Sequence, residues 1–353
     1  MAQTLVVYLG LLFIGTLFAN WADKRNSKLF LYAIIVIYTL VVGLRGESVG
    51  YDTLNYIQIM DGSVSGSSTS EIGFSILLNI LSEKGLGYNS LFLFYSFWTY
   101  FFLLLRLWDY RKKASFSMMV FMMGLTMLLP SLNIIRQMLA MSIVFYATRY
   151  ISSQRYILYL LFILLGAIFH LSSFVGLLFF VTELLRWNQL KKITKVLFCI
   201  GSLMFVFIGI KVLSKLYYTR FSLYFETSES DLGFLVIAKM IMLILIYVLA
   251  SSKKIAGLEK ISDSKIFSFK LVYYICLIGL CLHMIGYYYA QMGRIGFYLE
   301  IFDIVFYSII YKGGSSSQKL LAGFSIAILY FVPFFNNIIS KTSTYSPYLF
   351  YWQ

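Results

Sequence analysis

The sequence predicts an all-α protein, a single polytopic membrane domain over residues 1–353 that forms a helical bundle with about 12 transmembrane helices. The observations behind this prediction are that 60% of the residues are hydrophobic, only 12% are charged and the mean hydropathy is +0.81. Soluble domains are nearer to half apolar and a quarter charged. A soluble chain of this size would leave a large apolar area in water. The composition therefore excludes a soluble enzyme, a disordered chain and a nucleic-acid-binding domain.

Apolar runs give the predicted helices in order. A spanning helix needs about 20 mostly apolar residues, and twelve runs approach that length. They are residues 4–20, 29–44, 89–106, 115–131, 133–150, 156–171, 172–186, 194–213, 233–251, 270–289, 295–311 and 319–340. Because these runs use most of the chain, we expect no separate soluble domain.

The longest predicted loop, residues 45–88, contains a further apolar segment at 72–82. This segment is too short to cross a bilayer, so we interpret it as a short re-entrant or interfacial helix. Residues 63–70 (SVSGSSTS) before it are typical of a flexible linker. The other long loops are 214–232 and 252–269.

Basic residues are unevenly distributed among the predicted loops and set the orientation. Of the 29 Lys and Arg residues, twenty fall in the odd-numbered loops, eight in the even-numbered loops and the C-terminal segment, and Lys239 lies within a span. Cytoplasmic loops carry the excess of Lys and Arg in membrane proteins. We therefore predict that both termini lie outside (N-out, C-out) and that loop 45–88 is on the outer side.

Arg136 is the clearest basic residue that this rule leaves unexplained. It shares a predicted helix with Arg149, 13 residues further on, which is about 20 Å of helix rise. If Arg149 anchors at the inner surface, Arg136 lies below the outer surface of a hydrocarbon core about 30 Å thick. An arginine there needs a wet cavity or a partner. The alternative is that its side chain extends to the outer headgroups.

Three other arginines are candidates for the same outer site. Arg45 ends the second predicted helix, Arg294 begins the eleventh, and Arg220 lies in an outer loop rich in Tyr and Phe. For Arg294, a role as an anchor at the membrane interface is as good an explanation as a role in the site. For Arg220, stacking on sugar rings is possible chemistry, but the aromatic belt of membrane proteins is the preferred interpretation.

Ionisable residues within the predicted spans are further candidates. His170 lies at the outer end of its helix, and it is either functional or a hydrogen-bonded structural group. The other histidine, His283, is interpreted as structural. Lys239 and Glu300 have similar predicted depths, and we predict an ion pair between them.

Outer cations with few acidic partners at membrane depth indicate an anion site. Arginine stays charged and binds phosphate through two parallel hydrogen bonds, so a lipid pyrophosphate is a suitable ligand. Glycosyl transfer from such a donor needs charge stabilisation of the leaving diphosphate. It also needs a group that orients or deprotonates the acceptor hydroxyl, for which Asp52 and His170 are candidates. The sequence has no D-x-D pair and no P-loop, so we expect no metal and no cofactor.

Four short motifs resemble the EpsG family of Wzy-type exopolysaccharide polymerases, and they occur in the family's order. They are RGESVGYDTLNY at 45–56, NIIRQMLA at 133–140, FHLSS at 169–173 and GRIGFY at 293–298. The functional residues carried over by this resemblance are Arg45, Asp52, Arg136, His170 and Arg294. Two features depart from the family pattern: Tyr51 stands where a small residue is expected, and loop 214–232 is short.

The resemblance implies an enzyme of the bacterial cytoplasmic (plasma) membrane that polymerises lipid-linked repeat units on the extracytoplasmic side, for an exopolysaccharide, capsule or biofilm matrix. The expected partners are an undecaprenyl-pyrophosphate-linked oligosaccharide, the growing glycan chain and other exopolysaccharide-assembly membrane proteins, without nucleic acid. The candidate catalytic residues are Asp52, His170 and Arg136. The candidate substrate-binding residues are Arg45, Arg136, Gln137, Arg294, Tyr298, Tyr56 and Arg220.

Other functions compete with polymerisation. A flippase for lipid-linked oligosaccharide needs a charged site open to both leaflets, whereas the candidate arginines all lie on the predicted outer side. A ligase that moves the finished glycan to another acceptor uses the same donor, and the sequence does not separate it from a polymerase. A scaffold of an export complex would use the arginines only as anchors.

Overall fold

The computed structural model describes residues 1–62, 71–184, 193–194, 201, 204, 234–252, 266–286, 290–340 and 342–353. Within these residues the regular structure is helical, apart from an isolated bridge between Arg45 and Phe350. The all-α prediction is therefore confirmed. The helices are α1 Ala2–Arg25, α2 Lys28–Gly43, α3 Thr53–Met60, α4 Ile72–Glu83, α5 Tyr88–Tyr110, α6 Phe116–Asn133, α7 Ile135–Ser152, α8 Tyr156–Phe169, α9 Leu177–Leu184, α10 Phe234–Ser252, α11 Phe269–Gly286, α12 Ala290–Gly313, α13 Ser316–Ile326 and α14 Val332–Ile339.

Helices occupy eleven of the twelve predicted spans, and the remaining span, 194–213, lies almost entirely outside the described residues. Linker 63–70, loop 214–232 and Arg220 also lie outside them. Among the described residues, five helical segments are long and apolar enough to cross a membrane, which points to a membrane protein. They are Ala2–Arg25, Tyr88–Tyr110, Phe116–Asn133, Phe269–Gly286 and Ser316–Ile339. The total of twelve spans and the N-out, C-out orientation stay predictions.

Short helices fill the long loop between α2 and α5. The predicted apolar segment 72–82 is helical as α4, which buries Phe74 and Leu81 and packs against α5 and α8. Its placement as re-entrant or interfacial stays a prediction. Helix α3 was not expected from the sequence, because eight residues are too few for a clear apolar period.

Helices α7 and α12 lie inside the bundle. Most side chains of α7 are buried, as are those of α12 from Tyr298 to Ile310. A helix surrounded by protein can carry charged residues at membrane depth, because these side chains find polar partners there and do not face lipid. The candidate site residues of both helices are therefore positioned by packing from several sides.

Two glycines bring α11 and α12 into close contact. A Cβ atom on Gly279 would lie 2.8 Å from the Cβ of Leu299, and one on Gly296 would lie 3.0 Å from the carbonyl oxygen of Gly279. Small residues allow such an approach of two helix backbones in membrane proteins. The contact places Glu300 of α12 beside His283 of α11.

The predicted ion pair between Lys239 and Glu300 is confirmed and is part of a larger buried cluster. Lys239 Nζ lies 3.1 Å from Glu300 Oε1 and 3.0 Å from Asp303 Oδ2. The Tyr330 hydroxyl donates a hydrogen bond to Asp303 at 2.8 Å, and His283 Nδ1 lies 3.5 Å from Glu300 Oε1. The cluster joins α10, α11, α12 and the π-helical segment Ala327–Phe331, which continues α13 into α14, and this agrees with a structural role for His283.

Replacing Lys239 with Met tests this cluster. Loss of the ammonium group leaves two neighbouring carboxylates without their counter-charge, and removing one partner of a buried ion pair typically costs about 3–5 kcal/mol. We expect a lower midpoint in thermal unfolding of the purified protein in detergent. The same substitution at the exposed Lys319 is the control. Equal midpoints for the two variants would contradict the structural role of Lys239.

Candidate functional site

A salt bridge between Arg136 and Glu71 forms the centre of the site. Arg136 lies in the first turn of α7, and its Nη1 is 2.5 Å from Oε2 of Glu71, the residue before α4. The guanidinium also lies over the ring of Phe74, 4.8 Å from its centroid. The two charged side chains keep 27% and 14% of their surface exposed. Glu71 is thus the partner that an arginine at this depth needs.

His170 lies on the other side of Glu71. Its Nε2 is 3.9 Å from Glu71 Oε1, and its Nδ1 is 2.6 Å from the Ser172 hydroxyl. The backbone N–H of Ser172 also donates to Nδ1, at 3.3 Å. Since a backbone N–H can only donate, Nδ1 is an acceptor and the neutral ring carries its proton on Nε2, towards Glu71.

The backbone at His170 explains why its side chain is available. The sequence-based span 156–171 placed His170 inside a helix, but α8 ends at Phe169 and His170 is extended (φ −161°, ψ 122°). A short 3-10 helix, Leu171–Gly176, then leads to α9. His170 therefore stands between two helices, and its ring accepts the backbone N–H of Ser172, the second residue of the next helix.

Tyr298 extends this chain of hydrogen bonds to α12. Its hydroxyl is 2.8 Å from the Ser172 hydroxyl, and its side chain is buried. With Nδ1 of His170 as an acceptor, the hydrogen bonds have one direction, from Tyr298 through Ser172 to His170. The predicted site residue Tyr298 thus contacts the site through Ser172.

Gln137 connects α7 to the other predicted arginine. Its buried side-chain amide donates a 2.6 Å hydrogen bond to the carbonyl oxygen of Arg294. The Arg294 side chain is exposed, and its charge acts on both Asp52 and His170. Arg136 acts electrostatically on the same two residues, so these four predicted residues share one end of the bundle.

Asp52 is carried by a tight loop before α3. Gly50 has φ +98°, and a Cβ atom there would lie 2.6 Å from the carbonyl oxygen of Leu132. The next backbone N–H, from Tyr51, donates to Asn133 Oδ1 at 2.7 Å. The Tyr51 side chain is 78% exposed, which explains how a large residue is accommodated between Gly50 and Asp52.

The environment of Asp52 changes its acidity. The carboxyl is half-buried, and this burial raises the pKa of Asp52 above the usual value. The positive charges of Arg294 and Arg136 oppose the rise but do not cancel it. Asp52 is therefore a carboxyl group that protonates more readily than one in water.

Arg45 lies in a different environment from the other arginines. Its side chain is fully buried, with the guanidinium 3.7 Å from the ring centroid of Phe92. It donates to Thr53 Oγ1 at 3.2 Å and to the carbonyl oxygen of Val42 at 2.8 Å. Among the described residues, no partner lies within hydrogen-bond distance of its Nη2. In this structure Arg45 therefore holds the loop to α3 and does not contribute to the exposed cluster.

The C-terminal segment, residues 342–353, covers this loop. Gly46 N–H donates to the carbonyl oxygen of Leu349 and Gly50 N–H to that of Thr344, both at 2.8 Å. The segment thus pairs with the loop on both sides of its turn. It shields Arg45 from solvent and holds the loop residues next to Asp52 in place.

Tyr56 lies between Arg45 and the exposed cluster. Its buried ring packs against Phe74 and Phe92, with centroid distances of 5.9 Å and 6.3 Å. Its hydroxyl interacts with the Arg136 guanidinium. The predicted site residue Tyr56 therefore contacts Arg136 and helps to hold its guanidinium in place.

Sequence reasoning missed Glu71, Ser172 and Asn133 as parts of this site. Glu71 is not among the residues that the sequence singled out, because it lies 65 residues from Arg136. The one feature of the sequence that could have pointed to Glu71 is its position directly before the apolar helix α4. In the described part of the chain, no three His, Cys, Asp or Glu side chains are grouped to hold a metal ion.

The fold and the site together define a multi-helix membrane protein with arginine, carboxylate and histidine side chains gathered at one end of the bundle. The EpsG family model matches residues 28–350, and the chain belongs to the EpsG family. This match includes all four motifs and confirms the resemblance. Comparisons with curated proteins and with solved structures give no match. Membership of the family suggests a polysaccharide polymerase-like role.

Gly50 offers a test of the loop that carries Asp52. Alanine there has to adopt a left-handed conformation, at about 1–2 kcal/mol, and its Cβ also meets the Leu132 carbonyl at 2.6 Å. Gly85→Ala is a matched control, because Gly85 has φ +62° but nothing lies within 4 Å of its Cβ position. We expect thermal unfolding to occur at a lower temperature for Gly50→Ala than for Gly85→Ala. An equal loss in both variants would show that the contact with Leu132 is unimportant.

Proposed function

We propose that this protein polymerises polyprenyl-pyrophosphate-linked oligosaccharide repeat units on the extracytoplasmic side of the bacterial plasma membrane, by metal-independent glycosyl transfer. The observation that carries the proposal is the convergence of Arg136, Arg294, Asp52 and His170 at one end of the bundle. The product is an exopolysaccharide of a capsule or biofilm matrix. Family membership supports the polymerase class.

Arg136 and Arg294 bind the diphosphate of the donor in this proposal. When the bond between the sugar and the diphosphate breaks, negative charge grows on the leaving oxygen. Fixed guanidinium groups stabilise such charge and remain protonated throughout. Arg294 is exposed and reaches a ligand directly, whereas Arg136 has to exchange Glu71 for the diphosphate.

Asp52 orients the acceptor hydroxyl at the end of the growing glycan in this proposal. The remaining predicted residues position the groups that contact substrate. Gln137 fixes the backbone of Arg294, Tyr56 supports Arg136, and Tyr298 holds Ser172 beside His170.

Arg45 is proposed as a positioning residue, because its buried guanidinium fixes the loop before α3. Arg220 remains a proposed contact for the glycan, from the outer loop in which the sequence places it.

Reconstitution distinguishes this function from a flippase and a ligase. Purified protein in liposomes receives an undecaprenyl-pyrophosphate-linked oligosaccharide without ATP and with a metal chelator. A ladder of longer lipid-linked glycans is the expected result. Movement of the donor between leaflets without chain growth would indicate a flippase, and transfer only to a different acceptor would indicate a ligase.

Substitution of Arg136 tests the diphosphate contact. We expect Arg136→Ala to lower the rate of chain growth by about 10²–10³-fold, the effect of removing one charge-stabilising donor from an active site. Arg136→Lys keeps the charge but loses the planar pair of donors, so its rate should also be well below wild type. Lys84→Ala, at an exposed cation after α4, is the control. Normal ladders from Arg136→Ala would reject the proposed role.

The raised pKa of Asp52 predicts a characteristic pH dependence. The ionised carboxylate accepts a hydrogen bond from the acceptor, so the rate of chain growth should fall as pH drops through this pKa, at a higher pH than for an ordinary Asp. Arg294→Gln removes a charge that opposes the rise, so the fall should begin at a still higher pH. The measurement is the initial rate of chain growth in liposomes as a function of pH.

The Asp52→Asn background provides the control for this shift. Arg294→Gln should no longer move the acid side of the pH profile once Asp52 cannot ionise. The same shift in both backgrounds would mean that another group causes it.

A further inference from the structure

The arginine assigned to the diphosphate is already paired with a carboxylate. Glu71 and Arg136 approach to 2.5 Å, and both side chains remain partly exposed. A ligand that carries phosphate oxygens offers Arg136 the same kind of contact as a carboxylate does, with more negative charge. The donor and Glu71 therefore compete for one guanidinium.

The orientation of His170 argues against His170 as the proton acceptor. Its Nδ1 accepts hydrogen bonds from Ser172, and its Nε2 carries the proton of the neutral ring. The ring thus offers a donor to Glu71 and has no free lone pair for an acceptor hydroxyl. Glu71 does have one, because a carboxylate carries about four acceptor positions on its two oxygens.

We propose that Glu71 is the catalytic residue that accepts the proton of the acceptor hydroxyl, and that binding of the donor diphosphate to Arg136 releases Glu71 for this role. The inference rests on the proposed function and deepens it. His170 is then a positioning residue, which holds the released carboxylate in place through its Nε2–H.

The step moves one proton and one glycosyl group. The acceptor O–H bond breaks and its proton goes to the Glu71 carboxylate. The oxygen forms the new bond to the anomeric carbon of the donor sugar. The bond from that carbon to the diphosphate breaks, and its electron pair leaves on the diphosphate, which Arg136 and Arg294 stabilise.

The end of the cycle restores the resting pair. Glu71 gives its proton to water at the exposed edge of the site, and when the lipid diphosphate departs, Glu71 pairs with Arg136 again. In the resting pair the carboxylate accepts its hydrogen bond from Arg136 and not from an acceptor hydroxyl. The base is therefore inactive until a donor is bound.

Glu71→Gln separates this role from a structural one. The substitution keeps the size of the side chain and one acceptor oxygen but removes its charge. We expect chain growth to be lost by at least about 100-fold, the contribution of a general base. Binding of undecaprenyl pyrophosphate, the probe, should become tighter by roughly fivefold or more, because the competing carboxylate is gone.

Glu83→Gln is the matched control, since Glu83 is an exposed acid at the other end of α4. It should keep the wild-type rate and the wild-type affinity. Glu71→Asp keeps the carboxylate, and we expect it to retain partial chain growth, which keeps the test valid if Glu71→Gln does not fold.

The possible results decide between the hypotheses. Near wild-type chain growth in Glu71→Gln, or a joint loss of growth and probe binding in folded protein, would overturn the role of Glu71. So would inactive Glu71→Asp that is folded and binds the probe. Absence of a ladder with the wild-type protein would instead refute the proposed polymerase, so the two failures are distinguishable.

Discussion

The guanidinium of Arg136 needs a partner among the apolar helices of this bundle, and Glu71 supplies it. An unpaired charge at such a position costs several kcal/mol, whereas the pair costs less and remains partly open to solvent. The same contact connects the start of α7 to the segment before α4. His170, at the break after α8, completes the arrangement from the other side of Glu71. The geometry of the site depends on this contact more than on any other.

Two groups of ion pairs, around Lys239 and around Arg136, connect helices of the bundle. The cluster around Lys239 is the less exposed of the two, because its acidic partners Glu300 and Asp303 keep only 10% and 1% of their side-chain surface exposed; it joins helices and has no role in the proposed chemistry. The pair at Arg136 is partly exposed, and its partner can be exchanged for a ligand. The difference lies in accessibility, because a buried pair that loses one partner leaves an uncompensated charge, while an exposed one can be compensated by substrate or water.

The C-terminal segment positions the loop that carries Asp52. It pairs with the backbone of the loop around Gly46 and Gly50 and covers Arg45. This arrangement requires glycine at position 50, where the backbone is left-handed and the carbonyl of Leu132 is close. Asp52 thus lies in a loop that hydrogen bonds hold in place, and this fixes the position of its carboxyl group relative to Arg136 and Arg294.

The sequence by itself determined the all-α membrane class, the long helices of the described residues, the ion pair of Lys239 with Glu300 and most of the residues grouped around Arg136. These follow from composition, run length and depth along a helix, which are local or one-dimensional quantities. Only the tertiary structure decided that Glu71 pairs with Arg136, that Arg45 is buried under the C-terminal segment and that Nε2 of His170 faces Glu71. Depth along a helix does not give the direction of a side chain, and a contact across 65 residues depends on how the helices pack.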